Sequence, residues 1–237
     1  MVLAETIKSK LEVLANPEKA KQLERFFKTG PGQYGEGDKF LGITIPEQRK
    51  IAKLNFRDCS LDQLSILIMS EVHDHRMTAL LMLVAGAESR TGRADPKPYV
   101  EFYFRHLDWI NNWDLIDITC PKILGPWFFE RDRTKLVELA TADNLWHQRI
   151  SIISTYYFIR QQDYTTTFEI ADILFDHSHD LIHKAVGWML REVGNRDPQA
   201  ERDYLDPCYK SMPRTMLRYA IEKFPEEERL AYLHGEI

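Results

Sequence analysis

Residues 144–150, Asn-Leu-Trp-His-Gln-Arg-Ile, recur in outline 36 residues later as Asp-Leu-Ile-His-Lys-Ala-Val at residues 180–186. A third copy of the pattern, His75-Arg76-Met77, lies 72 residues before His147, which is twice that spacing. A repeat of this length with two helices per unit is typical of HEAT or armadillo solenoids, whose concave side binds ligands. The recurrence predicts an all-α fold, an α-solenoid of HEAT-like repeats. An irregular helical bundle with chance similarity is the alternative.

Helical periodicity covers nearly the whole chain, and strand-like alternation is nearly absent. Start signals mark several helices: Asn16 precedes Pro17, Ser60 caps another helix, and Asp197-Pro198 opens a third. Helices are predicted over 2–15, 17–28, 44 to about 54, 61–70, 74–89, 96–108, 113–130, 133–141, 144–161, 166–175, 179–194, 198–210, 213–224 and 226–234. We therefore expect one domain of HEAT-like helical repeats over residues 1–237.

The composition fits a soluble globular protein, with 44% apolar and 28% charged residues. No apolar run approaches the length of a membrane span, and residues 1–5 lack the basic and apolar regions of a secretory signal. Three widely separated cysteines fit a reducing environment, so a cytoplasmic location is expected. A net charge of −5 argues mildly against a nucleic-acid partner without excluding one, because binding depends on where the cations cluster.

The predicted helix at 113–130 opens with a tryptophan and a carboxylate that share one face. Trp113 and Asp117 are four residues apart, so they lie one above the other on an α-helix. An indole beside an anion can receive a positively charged planar group. Packing in the core is the alternative for Trp113, and a structural salt bridge to Arg149 is the alternative for Asp117. Asp114 is interpreted as a first-turn acid that the helix dipole favours.

If the repeated helices are equivalent, Arg149, Lys184, Trp188 and Arg191 line the same concave wall as Trp113 and Asp117. Positions 184, 188 and 191 follow the i, i+4, i+7 spacing and share one stripe. Lysine and arginine would hold the phosphates of an anionic polymer, while the rings and the carboxylate would meet something cationic. Trp188 has core packing as its alternative, and Trp109, Trp127 and Trp146 are assigned to the core or to packing between helices.

Other motifs indicate neither a metal nor a cofactor. The histidines at 73, 75, 177, 179 and 183 lack the glutamate or cysteine partners of a zinc site. The Gly-rich loop at 29–39 has no phosphate-loop spacing and no preceding strand. No Gly-x-Ser-x-Gly motif is present, and the cysteines offer no evident thiol catalysis.

Five stretches carry a resemblance to a known family: residues 27–43, Phe-Lys-Thr-Gly-Pro-Gly-Gln-Tyr-Gly-Glu-Gly-Asp-Lys-Phe-Leu-Gly-Ile; 45–50, Ile-Pro-Glu-Gln-Arg-Lys; 112–117, Asn-Trp-Asp-Leu-Ile-Asp; 145–149, Leu-Trp-His-Gln-Arg; and 184–192, Lys-Ala-Val-Gly-Trp-Met-Leu-Arg-Glu. Together they resemble the DNA alkylation repair family, the AlkD-type glycosylases. The match runs in order over about residues 20–195.

The resemblance implies a DNA glycosylase that excises positively charged N3- and N7-alkylpurines, such as 3-methyladenine and 7-methylguanine, from duplex DNA without a metal or other cofactor. Better-studied members of the family contact the backbone at the lesion and do not draw the base into a pocket, unlike most glycosylases. The family's basic concave face would hold the DNA.

The resemblance also assigns roles to individual residues. It places the catalytic carboxylate at Asp117 and the two tryptophans that flank the lesion at Trp113 and Trp188. It places DNA contacts at Arg149 and Arg191, and an aromatic contact at Phe26 or Phe27, where the family often has a tyrosine. The alternative function is a non-catalytic HEAT-like module that binds structured DNA or a protein partner. A monomer is expected in either case.

Overall fold

The computed structural model describes residues 3–237 and consists of α-helices joined by loops, of which the one over residues 27–44 is long. The helices are α1 Leu3–Glu12, α2 Pro17–Phe26, α3 Ile45–Asn55, α4 Leu61–Ile68, α5 His73–Ala87, α6 Arg90–Ala94, α7 Lys97–Arg105, α8 Trp113–Phe129, α9 Thr134–Thr141, α10 Leu145–Ser154, α11 Tyr156–Arg160, α12 Thr165–Ile173, α13 Asp180–Gly194, α14 Pro198–Leu205, α15 Arg214–Ala220 and α16 Glu226–His234. Short 3-10 turns cover Leu107–Trp109 and Ile221–Lys223. The β-pairing within these residues is a single isolated bridge between Lys39 and Val72.

The predicted helix starts are confirmed by their capping contacts. The side chain of Asn16 accepts the N–H of Lys19 at 3.1 Å, and the side chain of Ser60 accepts the N–H of Gln63 at 3.3 Å. Asp197 caps α14 in the same way. Such caps satisfy N–H groups that have no partner inside the helix, so short polar residues at these positions set the boundaries.

Several helix predictions are wrong in detail; the helix predicted over 198–210, for example, ends at Leu205. The single helix predicted over 144–161 is two helices, α10 and α11, separated at Thr155. The hydroxyl of Thr155 donates to the Ile152 carbonyl oxygen at 2.7 Å, and its N–H bonds to the same carbonyl, three residues back, so the chain tightens there. The short helix α6 was not predicted, because Gly92 within it lowers helix propensity. Residue 2 of the helix predicted over 2–15 lies outside the described residues.

The chain divides into two compact units, one ending at Ile123 and the other running from Leu124 to Ile237, so the boundary falls within α8. In the first unit α5 is buried on all sides and packs against α3 and α4, with Met77, Leu80 and Leu83 fully buried. In the second unit α13 is the central helix and packs against α10, α14 and α15. Each unit therefore has its own apolar core.

The predicted all-α fold of the α-solenoid class is confirmed. The 36-residue repeat, the concave DNA-binding face and the single repeat domain over 1–237 stay predictions. Within residues 3–237, no helix combines the length and the apolar character that crossing a membrane requires.

Candidate functional site

Trp113 and Asp117 lie at the start of α8, as the sequence predicts. Trp113 is the first residue of the helix, and its N–H donates to the side-chain oxygen of Asn112 at 2.9 Å. Asp117 follows one turn later on the same face. Both side chains are half-buried, so neither is sealed in the interior of the first unit. The helix therefore presents an indole and a carboxylate side by side.

The indole of Trp113 belongs to a stack of aromatic rings. Its ring lies 5.1 Å from that of Phe27, nearly parallel, and Phe27 is stacked in turn on Phe40 at 5.1 Å. Phe26 meets both Phe27 and Trp113 edge to face. Phe27 is buried, whereas Phe26 is 62% exposed. Phe27 thus supports the stack from beneath, and Phe26 is the phenylalanine with a ring surface free to meet a ligand.

Beneath this stack lies a buried charged cluster that sequence reasoning missed. The imidazole of His73 bonds through Nε2 to Asp114 at 3.0 Å and through Nδ1 to Asp38 at 3.1 Å. Asp38 also accepts from the guanidinium of Arg76 at 2.5 Å and from the amide of Asn112 at 3.1 Å. The cluster ties the end of the Gly-rich loop, the start of α5 and the start of α8 together.

The two carboxylates keep His73 positively charged. Burial alone would lower the pKa of His73, but the charge and hydrogen bond of Asp114 and the hydrogen bond of Asp38 raise it to about 9. Burial on its own would raise the pKa of Asp38, but the hydrogen bonds and charges of His73 and Arg76 lower it. The cluster therefore contains two carboxylates and two cations at neutral pH.

The interpretation of Asp114 as a helix-dipole acid is incomplete. Its Oδ1 does accept the N–H of Leu115 at 2.8 Å, within the first turn of α8. However, the side chain is buried and its other oxygen binds His73. The sequence feature that could have indicated this cluster is the run of charged and ionisable residues at 73–76, because it opens a helix that is otherwise apolar.

The cations predicted to bind DNA lie in the second unit and already have protein partners. Arg149 is only 5% exposed, and its Nη1 donates to the Leu181 carbonyl oxygen at 2.6 Å. Lys184 pairs with Asp180 at 2.6 Å, and Arg191 pairs with Glu222. The side chains of Lys184 and Arg191 are half-buried along α13, as their shared stripe predicts.

Trp188 lies on the same stripe of α13 and has a polar partner. Its indole N–H donates to the Glu192 carboxylate at 3.2 Å, and its ring lies 6.1 Å from that of Tyr156. The side chain is half-buried. Trp109, Trp127 and Trp146, which were assigned to packing, are half-buried too, so none of the three is a core residue. The guanidinium of Arg131 covers the ring of Trp127 at 4.0 Å.

Among residues 3–237, no group of three or more His, Cys, Asp or Glu side chains is placed to hold a metal ion. The histidines near 177–183 bond to neighbouring backbone and to Gln148 instead. What the first unit offers is a half-buried carboxylate beside an aromatic surface, and what the second offers is a set of cations with a second indole.

Comparisons with known proteins bear on the family and the fold of the chain. The family model described as DNA alkylation repair enzyme matches residues 7–224. A solved structure described as a predicted DNA alkylation repair enzyme from Enterococcus faecalis superposes with a TM-score of 0.70 at 16% sequence identity, covering 90% of this chain and 97% of that one. At that identity the likeness establishes the shared fold. No curated protein sequence matches the chain.

Proposed function

The chain belongs to the DNA alkylation repair enzyme family, and from that premise we propose that it is a DNA glycosylase that excises positively charged N3- and N7-alkylpurines from duplex DNA, the first step of base excision repair. The observation that carries the proposal is the placement of Trp113 and Asp117 on one face of α8, both half-buried, with the exposed ring of Phe26 beside the indole. A carboxylate beside aromatic surface is the pair of groups that this reaction needs.

The chemistry is a hydrolysis. The alkylated base carries a positive charge and leaves with the electron pair of the N-glycosidic bond, which makes it neutral. The sugar then resembles an oxocarbenium ion, and the negative charge of Asp117 stabilises it. Water adds to the sugar carbon and loses a proton, leaving free base and an abasic site.

The barrier reduction required is modest because the charged base already leaves readily. A hundredfold to thousandfold acceleration corresponds to about 3–4 kcal/mol. The carboxylate of Asp117 lowers the barrier because it faces the positive charge that develops on the sugar. Aromatic faces stabilise a nearby cation by about 0.5–2 kcal/mol, depending on how far the contact is desolvated. The rings of Trp113, Trp188 and Phe26 lower the barrier where they face the sugar, whereas their contact with the charged base stabilises the ground state and favours binding of charged adducts. Neutral bases would leave too slowly, which limits the substrates to charged adducts.

The second unit is proposed to hold the DNA. Arg149, Lys184 and Arg191 would contact phosphates, and the two latter residues would exchange their carboxylate partners for phosphate oxygens. Trp188 would flank the lesion from this unit. Phe27 would support the ring of Phe26 from beneath. The protein would act as a monomer in the cytoplasm, with alkylated duplex DNA as its partner.

The test is release of free base from duplex DNA treated with a methylating agent, with untreated duplex as the control. We expect 3-methyladenine and 7-methylguanine to appear in proportion to the amount of protein, and no base to appear from the untreated duplex. Tight binding to both duplexes without release of base would reject the enzymatic function.

The second candidate function is a non-catalytic module that binds structured DNA or a protein. The net charge of −5 favours it, as do the ion pairs of Lys184 and Arg191, because a paired cation gains less from a phosphate. This candidate predicts binding without base release, so the same assay separates the two functions.

A further inference from the structure

The Gly-rich loop is not used by the proposed reaction, yet it reaches the helix that carries Trp113 and Asp117. The carboxylate near its end, Asp38, is buried. The Oδ2 atom of Asp38 accepts two hydrogen bonds of 3.1 Å, one from the side-chain amide of Asn112 and one from Nδ1 of His73. Asn112 immediately precedes Trp113, the first residue of α8. The loop therefore ends in direct contact with the start of α8.

Hydrogen bonds from Asp38 lead to both neighbours of Trp113. On one side the amide of Asn112 donates to Asp38, and the side-chain oxygen of Asn112 accepts the N–H of Trp113 at 2.9 Å. On the other side His73 donates to Asp38 and, through Nε2, to Asp114 at 3.0 Å. Because Asn112, Trp113 and Asp114 are consecutive, these bonds and the backbone form a closed ring, which we call the Asp38 ring. A shift of the first turn of α8 would break at least one of its bonds.

The Asp38 ring is buried, so its members are removed from bulk water. Asn112 is fully buried, and Asp38, His73 and Asp114 are at most 8% exposed. A buried carboxylate is stable only where donors and positive charges surround it, and Asp38 also accepts from the guanidinium of Arg76 at 2.5 Å. Breaking a bond of the ring would leave a buried polar group without a partner, which is costly. The ring therefore has one favoured geometry.

The glycines of the loop allow Asp38 to reach this position. A Cβ at Gly35 would lie 2.4 Å from the Phe27 carbonyl oxygen and 3.4 Å from the amide nitrogen of Asn112, so only glycine lets the loop pass this close. The N–H of Gly35 donates to the Lys28 carbonyl oxygen at 3.1 Å, and the Gly35 carbonyl oxygen accepts the N–H of Asp38 at 3.1 Å. This tight turn holds Asp38 beside Asn112.

Stacked rings connect the Asp38 ring to the indole as well. The imidazole of His73 lies 4.4 Å from the ring of Phe40, nearly parallel, and 5.3 Å from the ring of Phe27. Phe27 stacks in turn on Trp113 at 5.1 Å. His73 is positively charged, and a cation close to an aromatic face is attracted by the quadrupole of that face. The backbone and the side chain of Trp113 are therefore both placed by contacts that lead back to His73 and Asp38.

We propose that Asp38 is a positioning residue for base release: by closing the Asp38 ring it fixes Trp113 and, one turn later on the same face of α8, Asp117. The inference rests on the proposed function for the reaction, and it assigns a task to the Gly-rich loop. A displacement of about 1 Å at a reacting group can slow a reaction about a hundredfold. Because Asp38 is buried and acts through Trp113 and Asp117, its loss should slow base release with little change in affinity for DNA.

The first experiment measures the single-turnover rate of 7-methylguanine release and the affinity for the same duplex. Asp38→Asn removes the charge that closes the ring. Asp74→Asn is the matched control, because Asp74 is a buried carboxylate of the same unit that bonds to Leu41, Ile43 and Gln48 and lies outside the ring. We expect Asp38→Asn to be at least fivefold slower at nearly unchanged affinity, and Asp74→Asn to be as fast as the natural chain.

A milder pair of variants keeps the test valid if Asp38→Asn does not fold. Asn112→Ser opens the ring at its neutral hydrogen bond and leaves the bonds of His73 to both carboxylates in place. Asn55→Ser makes the same substitution at another buried asparagine of the first unit, whose side chain bonds to Lys10 instead. We expect Asn112→Ser to release base at least threefold more slowly, and Asn55→Ser to release it at the natural rate.

A double variant separates positioning of the carboxylate from a general loss of stability. If Asp38 acts chiefly by placing Asp117, then the loss of both side chains is not additive. We expect Asp38→Asn to slow the Asp117→Asn variant at most twofold, which is less than its effect on the natural chain.

A spectroscopic signal reports the position of Trp113 without any reaction. In the full chain labelled with 5-fluorotryptophan, the fluorine NMR signal of Trp113 is identified as the one that disappears in Trp113→Phe. We expect a narrow Trp113 signal in the natural chain and in both control variants, and a broadened or split signal in Asp38→Asn and Asn112→Ser. The signal of Trp188, in the second unit, should be the same in all of them.

Three results would overturn the inference: base release by Asp38→Asn and Asn112→Ser at the rates of their controls, equal slowing by Asp38→Asn with and without Asp117→Asn, or an unchanged Trp113 signal in both ring variants. Failure of the proposed function would look different. A natural chain that releases no base, together with a broadened Trp113 signal in both ring variants, would reject the enzyme and keep the positioning of Trp113 by Asp38.

Discussion

In the unit ending at Ile123, the buried carboxylates of Asp38 and Asp114 are bonded to the buried cations of His73 and Arg76. In the unit from Leu124 onward, the buried carboxylate of Glu201 has no basic side chain within ion-pair distance among the described residues, and its Oε1 lacks a hydrogen-bond partner. Burial is similar in the two cases. The partners decide whether the pKa of the buried acid falls or rises. Bonds from His73 and Arg76 lower the pKa of Asp38, whereas burial raises the pKa of Glu201 to about 8.

The basic side chains of the two units follow the same contrast. Arg76 is fully buried within the charged cluster, while Arg191 and Arg202 pair with carboxylates that are partly exposed. Buried, paired charges fix the positions of the elements that carry them, whereas ion pairs near the surface are weak enough to exchange partners. The buried cluster of the first unit is therefore suited to hold the start of α8, with Trp113 and Asp117, in a fixed geometry.

Raising the pH should break the buried charged cluster of the first unit and lower the stability of the protein. The folded-state pKa of His73 is about 9, above the value of about 6.5 in the unfolded chain, so its stabilising contribution is complete below about pH 6.5 and is lost as the pH rises through about 9. The loss should be about 3 kcal/mol in the free energy of unfolding. Denaturant titrations over this pH range measure it.

A neighbouring histidine on the same helix provides the control for the charged cluster. Burial lowers the pKa of His75 to about 4, so this side chain stays neutral over the same range. His75→Gln should keep the decline of stability between about pH 6.5 and 9, and His73→Gln should make that decline smaller, because the contribution of His73 is then absent. A decline that is unchanged in His73→Gln would mean that the cluster is not the source.

The buried acid of the second unit should also lower the free energy of unfolding as the pH rises, because its folded-state pKa is raised as well. Because the pKa of Glu201 is raised to about 8, the protein loses stability as the pH rises from about 4.5 through about 8, where the folded chain must accept a buried charge. Glu201→Gln has no charge to bury and should be more stable than the natural chain at neutral pH, by up to about 3 kcal/mol. Thermal unfolding of both proteins at mildly acidic and mildly basic pH tests this, and a destabilised variant at both would contradict it.

Replacing a cation of the second unit should change affinity for DNA only a few-fold. Arg149→Ala is expected to weaken binding to duplex DNA and to reduce the slope of log affinity against log salt by about 1, the contribution of one phosphate contact. Arg218→Ala, which removes an exposed arginine from α15, is the control for the loss of charge. An unchanged salt slope in Arg149→Ala would assign Arg149 to structure, through its bond to the Leu181 carbonyl.

The sequence predicted contacts within one helix and missed contacts between distant residues. The pairing of Trp113 with Asp117 was predictable because it depends on a spacing of four residues within one helix. The bonds of His73 to Asp38 and Asp114 span 35 and 41 residues, and no local periodicity reports a contact of that separation. The helix break at Thr155 was missed for a related reason, since a hydroxyl that bonds to a preceding carbonyl leaves the apolar pattern intact.

A cavity of about 360 Å³ in the first unit, lined by Phe26, Phe27 and Phe40 among others, was not predictable from the Gly-rich loop alone. The loop lacks the spacing of a phosphate loop, so its glycines indicated only a tight turn. The close passage of Gly42 past α2 and the convergence of three phenylalanine rings depend on the packing of α2 and α5 in three dimensions. Long-range packing of this kind is what one sequence does not reveal.

The central claim is that the carboxylate of Asp117 lowers the barrier to base loss. Its most direct test is the single-turnover rate of 7-methylguanine release by Asp117→Asn, measured together with the affinity of the variant for the same duplex. Asp108→Asn, at an exposed acid of the first unit, is the matched control. We expect Asp117→Asn to be at least tenfold slower, which is about 1.4 kcal/mol of barrier, at nearly unchanged affinity. A rate equal to that of Asp108→Asn would contradict the role of Asp117.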